Sequence, residues 1–174
     1  VTGITTAQEP ATFAHQNDLI DIQLDRTYSP GDIIEVIIDY EGNPEASGLG
    51  SFGFDSHAGK PMIWSLSEPF GARNWWPCKD HMYDEPDSMM ISVTVPAGLM
   101  DVSNGRLRSV VRNRKEKTTT YNWFVSYPIN NYGVNINIGD YAHFSEIFDG
   151  EKGKLNCDYY VLKEHLEKAK VHFR

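Results

Sequence analysis

Between Trp64 and Asp80 the chain concentrates three of its four tryptophans, one of its two cysteines, a glutamate and an arginine within seventeen positions that follow no helical or strand period. Tryptophan and cysteine are residues of the interior, while Pro69, Gly71 and Pro77 deny the segment a regular helix or a long central strand. The stretch therefore reads as a buried, irregular crossing that holds a few polar side chains in place. Any fold for this chain has to be built around it.

The flanking sequence supplies strands. Ile20, Ile22 and Leu24 alternate with Asp21, Gln23 and Asp25, the period of a half-buried strand. Ser29-Pro30-Gly31-Asp32 reads as a turn, and Ile33 to Tyr40, apolar at nearly every position, reads as a strand covered on both faces. Together these predict a hairpin. A loop from Glu41 to Gly50 then leads to Phe52 and Phe54. Alternation returns at Met89–Val95, Tyr121–Tyr127 and Val134–Ile138, and five or six such strands indicate an antiparallel β-sandwich or curved sheet. Only Leu162, Leu166, Ala169 and Phe173 adopt helical spacing; no stop signal precedes Arg174, so the fold is expected to continue past it.

With 174 residues the chain is sized for one well-cored domain. A net charge of −8 argues against a phosphate-binding surface, and the basic run Arg106–Lys117 reads as a solvated hairpin rather than a nucleic-acid site. No apolar run is long enough to span a membrane. Because the first residue is not Met, the chain is expected to begin inside a longer gene product. Cys78 and Cys157 are compatible with a disulfide, a metal site or buried thiols, the last being the simplest reading.

Chemical motifs are sparse. Gly48-Leu-Gly50-Ser-Phe-Gly53 matches the dinucleotide-binding string, but the residues after it look extended, where a phosphate site needs a helix N-terminus. Asp84, Glu85 and Asp87 supply too few ligands for calcium by themselves. The six histidines form no His-Glu-x-x-His pair, and His165 and His172 are too far apart along one helix to share a metal. What remains is Glu68 and Arg73 in the dense stretch. They read either as a structural ion pair or as an anchor, with Glu68 receiving a substrate's ammonium group.

In these residues the chain resembles the aminopeptidase N family of zinc peptidases, the gluzincins that include leukotriene-A hydrolase. Many members carry Q-x-E-x-x-x-A-R-x-x-x-P-C-x-D near the end of an N-terminal domain, and this chain matches at Glu68, Ala72, Arg73, Pro77, Cys78 and Asp80. Tyr127 to Phe144 looks like the family's last N-domain strands. The resemblance implies a saddle-shaped, mainly antiparallel β-sandwich over residues 1–155. Residues 156–174 would form a connecting segment and short helix leading toward an absent catalytic domain.

Glu68 would anchor the substrate's N-terminal amine, with Arg73, Trp75, Trp76, Pro77, Cys78 and Asp80 as structural support. The partners implied are a peptide substrate and the protein's own catalytic domain. That domain would hold the zinc and do the catalysis; this segment would bind no metal. Leu66 stands where the family has Gln, which leaves residue preference open. Val1 would lie after the domain's first strands, making the chain a piece cut at both ends. Among the compartments in which members occur, the periplasm or the extracellular space is slightly preferred. The rival expectation is a stand-alone binding module, for carbohydrate or protein, with Trp75 or Trp76 as a platform; a third is an inactive relative kept for protein contacts.

Overall fold

The structure, a computed structural model, describes residues 1–46 and 50–173. In chain order its strands are β1 (Gly3–Thr6), β2 (Glu9–Pro10), β3 (Phe13–Gln16), β4 (Leu19–Ile22), β5 (Val36–Asp39), β6 (Ser51–His57), β7 (Lys60–Leu66), β8 (Met89–Pro96), β9 (Met100–Ser103), β10 (Arg106–Asn113), β11 (Thr118–Val125), β12 (Ile136–Gly139), β13 (Tyr141–Gly150) and β14 (Gly153–Leu162). One helix, α1 (Leu166–His172), follows. The named strands all pair antiparallel, in sheets of order β2-β1-β5, β10-β11-β8 and β6-β7-β12-β9 and the two-stranded ladders β3-β4 and β13-β14. The expected mainly β architecture with a short C-terminal helix is what the chain adopts.

The core follows from alternation in β8 and β11. Ile91, Val93 and Val95 stand opposite Trp123, Tyr121 and Thr119, and one face of this pair is buried. Ile91, Trp123 and Val125 join Val134 in a cluster against which Trp75, Trp76, Met89 and Ile129 pack. The opposite face is polar, with Thr94 bonded to Thr120 and Ser92 to Asn122. At the sheet's edge β10 is exposed along its whole length and bulges between Leu107 and Ser109. The basic run is thus the hairpin the sequence predicts.

Asp101, on β9, ties the four-stranded sheet to β11. Its side chain is fully buried, at 0% exposure, and its Oδ2 accepts hydrogen bonds from Trp123 Nε1 (2.9 Å) and Ser103 Oγ (3.3 Å). Asn135 and the start of β12 fasten to the end of β7: Asn135 Nδ2 donates to the Ser65 carbonyl (2.8 Å), and the Ile136 amide donates to Ser65 Oγ (2.9 Å).

Two expectations about the first forty residues are corrected. The stretches around Ile20 and Ile38 do not pair with each other; β4 pairs with β3, and β5 with β1. Nor is β5 covered on both faces, since Val36 and Ile37 are 39% and 47% exposed. A continuous apolar run registers the tendency to be buried without saying which strand lies beside it, and β5 has a partner on one side only. In the glycine string, Gly48 and Leu49 lie outside the described residues, while the string's end enters strand β6, not a helix.

Candidate functional site

The end of β7 sets the position of Glu68. From Ser65 the side chains alternate: Ser65 is buried, Leu66 exposed, Ser67 buried, Glu68 exposed. Then the chain turns. The Gly71 amide donates to the Ser67 carbonyl at 2.8 Å, closing a loop in which Glu68, Pro69 and Phe70 all face solvent. The Glu68–Pro69 peptide is cis.

Both ends of that loop are clamped below the surface. Ser67 is 2% exposed, and its Oγ accepts from Trp75 Nε1 at 2.9 Å. A Cβ on Gly71 would fall 2.3 Å from Ser51 Oγ, so no larger residue fits without displacement. Asn74 Nδ2 donates to the same Ser51 hydroxyl at 3.3 Å. Under the loop, the Trp75 ring lies between Phe52 (5.4 Å) and Trp76 (6.0 Å), tilted against each. Trp64 lies across β6, where a Cβ on Gly53 would meet the indole at 2.3 Å. The aromatic density of the stretch is the floor on which one exposed carboxylate stands.

The expected site residues separate into groups. Arg73 pairs with Asp80, NH1 to Oδ2 at 3.0 Å, so the alternative of a Glu68–Arg73 ion pair is not realised. Among the described residues the Glu68 carboxylate has neither an ion-pair nor a hydrogen-bond partner. Trp75 and Trp76 are half-buried and pack on the core cluster. Cys78 is a half-buried free thiol, like Cys157, and burial pushes it above the usual thiol range. Asn131 Nδ2 donates to the Lys79 carbonyl at 3.2 Å and so secures the Pro77–Lys79 segment.

Sequence alone marks Gly71 only as a helix breaker and does not mark Ser51, Ser67 or Asp101. Serines at strand ends and a glycine beside a proline are too common to mark a clamp. Asp101 looks like any acidic residue near a turn until its burial is seen, and that burial raises its carboxyl to about 7. Histidines pair with carboxylates, His57 with Glu164 and His143 with Asp158, but among the described residues no three of His, Cys, Asp and Glu assemble a metal ligand set.

A family model, the Peptidase M1 N-terminal domain, matches residues 3–132. No curated protein sequence matches the chain. Among solved structures, an M1 zinc metallopeptidase from Deinococcus radiodurans aligns over 94% of this chain with a TM-score of 0.80 at 22% identity. A mutant of a two-domain M1 zinc metallopeptidase bound to L-arginine aligns over 94% with a TM-score of 0.81, also at 22% identity, and 38% of that chain is covered. Native yeast LTA4 hydrolase aligns over 99% at 18% identity with a TM-score of 0.68, covering 26% of its own chain. At these identities the likeness is one of fold. The chain spans 37% of the length of the Deinococcus radiodurans protein.

Proposed function

Because the chain belongs to the Peptidase M1 N-terminal domain family, we propose that it forms one wall of the active site of a zinc-dependent aminopeptidase, in which Glu68 receives the free N-terminal ammonium of a peptide substrate. The observation that carries this reading is the Glu68 turn: an unpaired, solvent-facing carboxylate on a loop clamped at both ends by buried groups. A carboxylate held at one place by a rigid support rewards a charged amine at one fixed distance from the scissile bond, which is the requirement for trimming residues from a peptide end. Arg73, engaged with Asp80, leaves that charge uncompensated for the substrate.

The partners in this reading are the peptide and the protein's own catalytic domain. In this reading the zinc and the hydrolytic step belong to the catalytic domain. Localisation in the periplasm or outside the cell is part of the same proposal.

The test is Glu68→Gln in the full-length protein. Loss of the charge-assisted contact is expected to lower kcat/KM for free-amine substrates by about 1.5–3 kcal/mol, mainly through KM, because the amine is held in ground and transition states alike. The melting temperature should not move, since the carboxylate bonds to nothing within the domain. Unchanged kinetics with a lower melting temperature would refute the assignment.

A further inference from the structure

Strand β10 and the turn after it concentrate positive charge on an open sheet edge. From Arg106 to Lys117 there are six cations against the single Glu116, a net of +5 in a chain whose overall charge is −8. None of the six forms an ion pair with another described residue. Arg108 rests on the Phe124 ring, its guanidinium carbon 5.2 Å from the centroid. The others stand in solvent, with their charge uncompensated.

The backbone of this strand is as open as its side chains. β10 is exposed along its whole length and, among the described residues, pairs with β11 alone, so its other edge presents backbone N–H and C=O groups without a ladder partner. Past the bulge at Arg108 the register runs regularly from Ser109 to Asn113. Val110 and Arg112 stand opposite Tyr121 and Thr119 on one face, Ser109 and Val111 opposite Asn122 and Thr120 on the other. A strand laid along this edge would therefore find backbone partners, an exposed valine on each face, and cations at both ends: Arg106 and Arg108 before the regular stretch, Arg112, Arg114, Lys115 and Lys117 at its end and beyond.

Charge decides what can occupy it. A second copy pairing through β10 would bring together two strands that each carry the same positive charge, the device by which sheet edges refuse their own kind. A nucleic acid would answer the cations and leave the backbone groups and the valines unused. An extended acidic peptide answers all three. We propose that β10 takes up such a segment as an added strand, with carboxylates toward both ends of the segment and β-branched residues between them. This surface does not depend on the role given to Glu68.

The test uses the 174-residue chain and the labelled peptide fluorescein-Gly-Asp-Glu-Val-Thr-Val-Glu-Asp-amide, followed by fluorescence anisotropy at low ionic strength. Binding should be saturable and should weaken several-fold at physiological salt. Strand addition gives alternate β10 amides new acceptors, so their hydrogen exchange should slow in the complex, while the amides between them, already facing β11, should not change. The same peptide N-methylated through its central residues keeps its charge but cannot pair, and should bind about tenfold more weakly. Arg112→Glu combined with Arg114→Glu, both on exposed positions, should abolish binding. Absence of saturable binding to the wild-type chain at low salt overturns the proposal without recourse to any variant. So does equal binding of the N-methylated peptide, or a double variant, folded by circular dichroism, that binds as wild type does. Oligothymidylate binding more tightly than the peptide would make the edge a nucleic-acid site and overturn it as well.

Discussion

Asp101 stabilises the domain in its protonated form. It is fully buried, one oxygen serves two donors and the other serves none, and burial raises the carboxyl from the ordinary range near 4 to about 7. In the unfolded chain the same group releases its proton near pH 4, so across the interval between those values the folded state holds a proton that the unfolded state does not. Stability contributed by this residue is therefore complete below about pH 4 and declines as pH rises toward 7, the reverse of the usual salt-bridged aspartate. Asp101→Asn keeps an oxygen for Trp123 and Ser103 and removes the ionisation. It is expected to match wild type near pH 4, to exceed it increasingly as pH rises, and to exceed it by about 1–3 kcal/mol at pH 8, as read from denaturant midpoints. An equal loss of stability in the variant at both values would mean that the carboxyl is not titrating in this window.

The elements that could be read from sequence are those whose two faces differ. β8 and β11 alternate cleanly because one side lies in the core and the other carries a threonine and asparagine ladder. The hairpin of β13 and β14 leaves no periodic signature in the sequence because apolar residues lie on both of its faces. Phe144 and Phe148 point one way and Ile147 the other, with Ile147 and Phe148 each 60% exposed, so no period of two emerges. β1 and β3 are short and mostly polar, so nothing in the sequence marks them as the neighbours of β5 and β4. For the candidate site, resemblance pointed to Glu68, while the clamp beneath it required coordinates, because it consists of serine hydroxyls and the absence of a side chain. That clamp is open to test at its tightest point. Gly71→Ala puts a methyl group 2.3 Å from Ser51 Oγ and is expected to cost about 1–3 kcal/mol in unfolding free energy, measured on the isolated chain. A variant within a few tenths of a kcal/mol of wild type would show that the turn relaxes easily.

At the scale of the molecule, the chain accounts for 37% of the length of the Deinococcus radiodurans zinc metallopeptidase whose fold it shares. In the proposed reading it contributes a wall and an amine anchor, and the reaction belongs elsewhere in the polypeptide. The 174 residues alone are accordingly expected to release no chromophore from an aminoacyl anilide, with or without added zinc. Turnover that a chelator abolishes would contradict this. The arrangement of the Glu68 turn also bears on how such a protein can change its substrates. The groups that keep the loop in shape, Ser67, Trp75 and Gly71, lie beneath it, and the group offered to the ligand stands above it with no bond to the domain. If Glu68 is the amine anchor proposed above, selectivity and folding are uncoupled at adjacent positions in the chain. In that reading, an engineer or natural drift retunes the recognised end group at position 68 and leaves the scaffold's stability untouched.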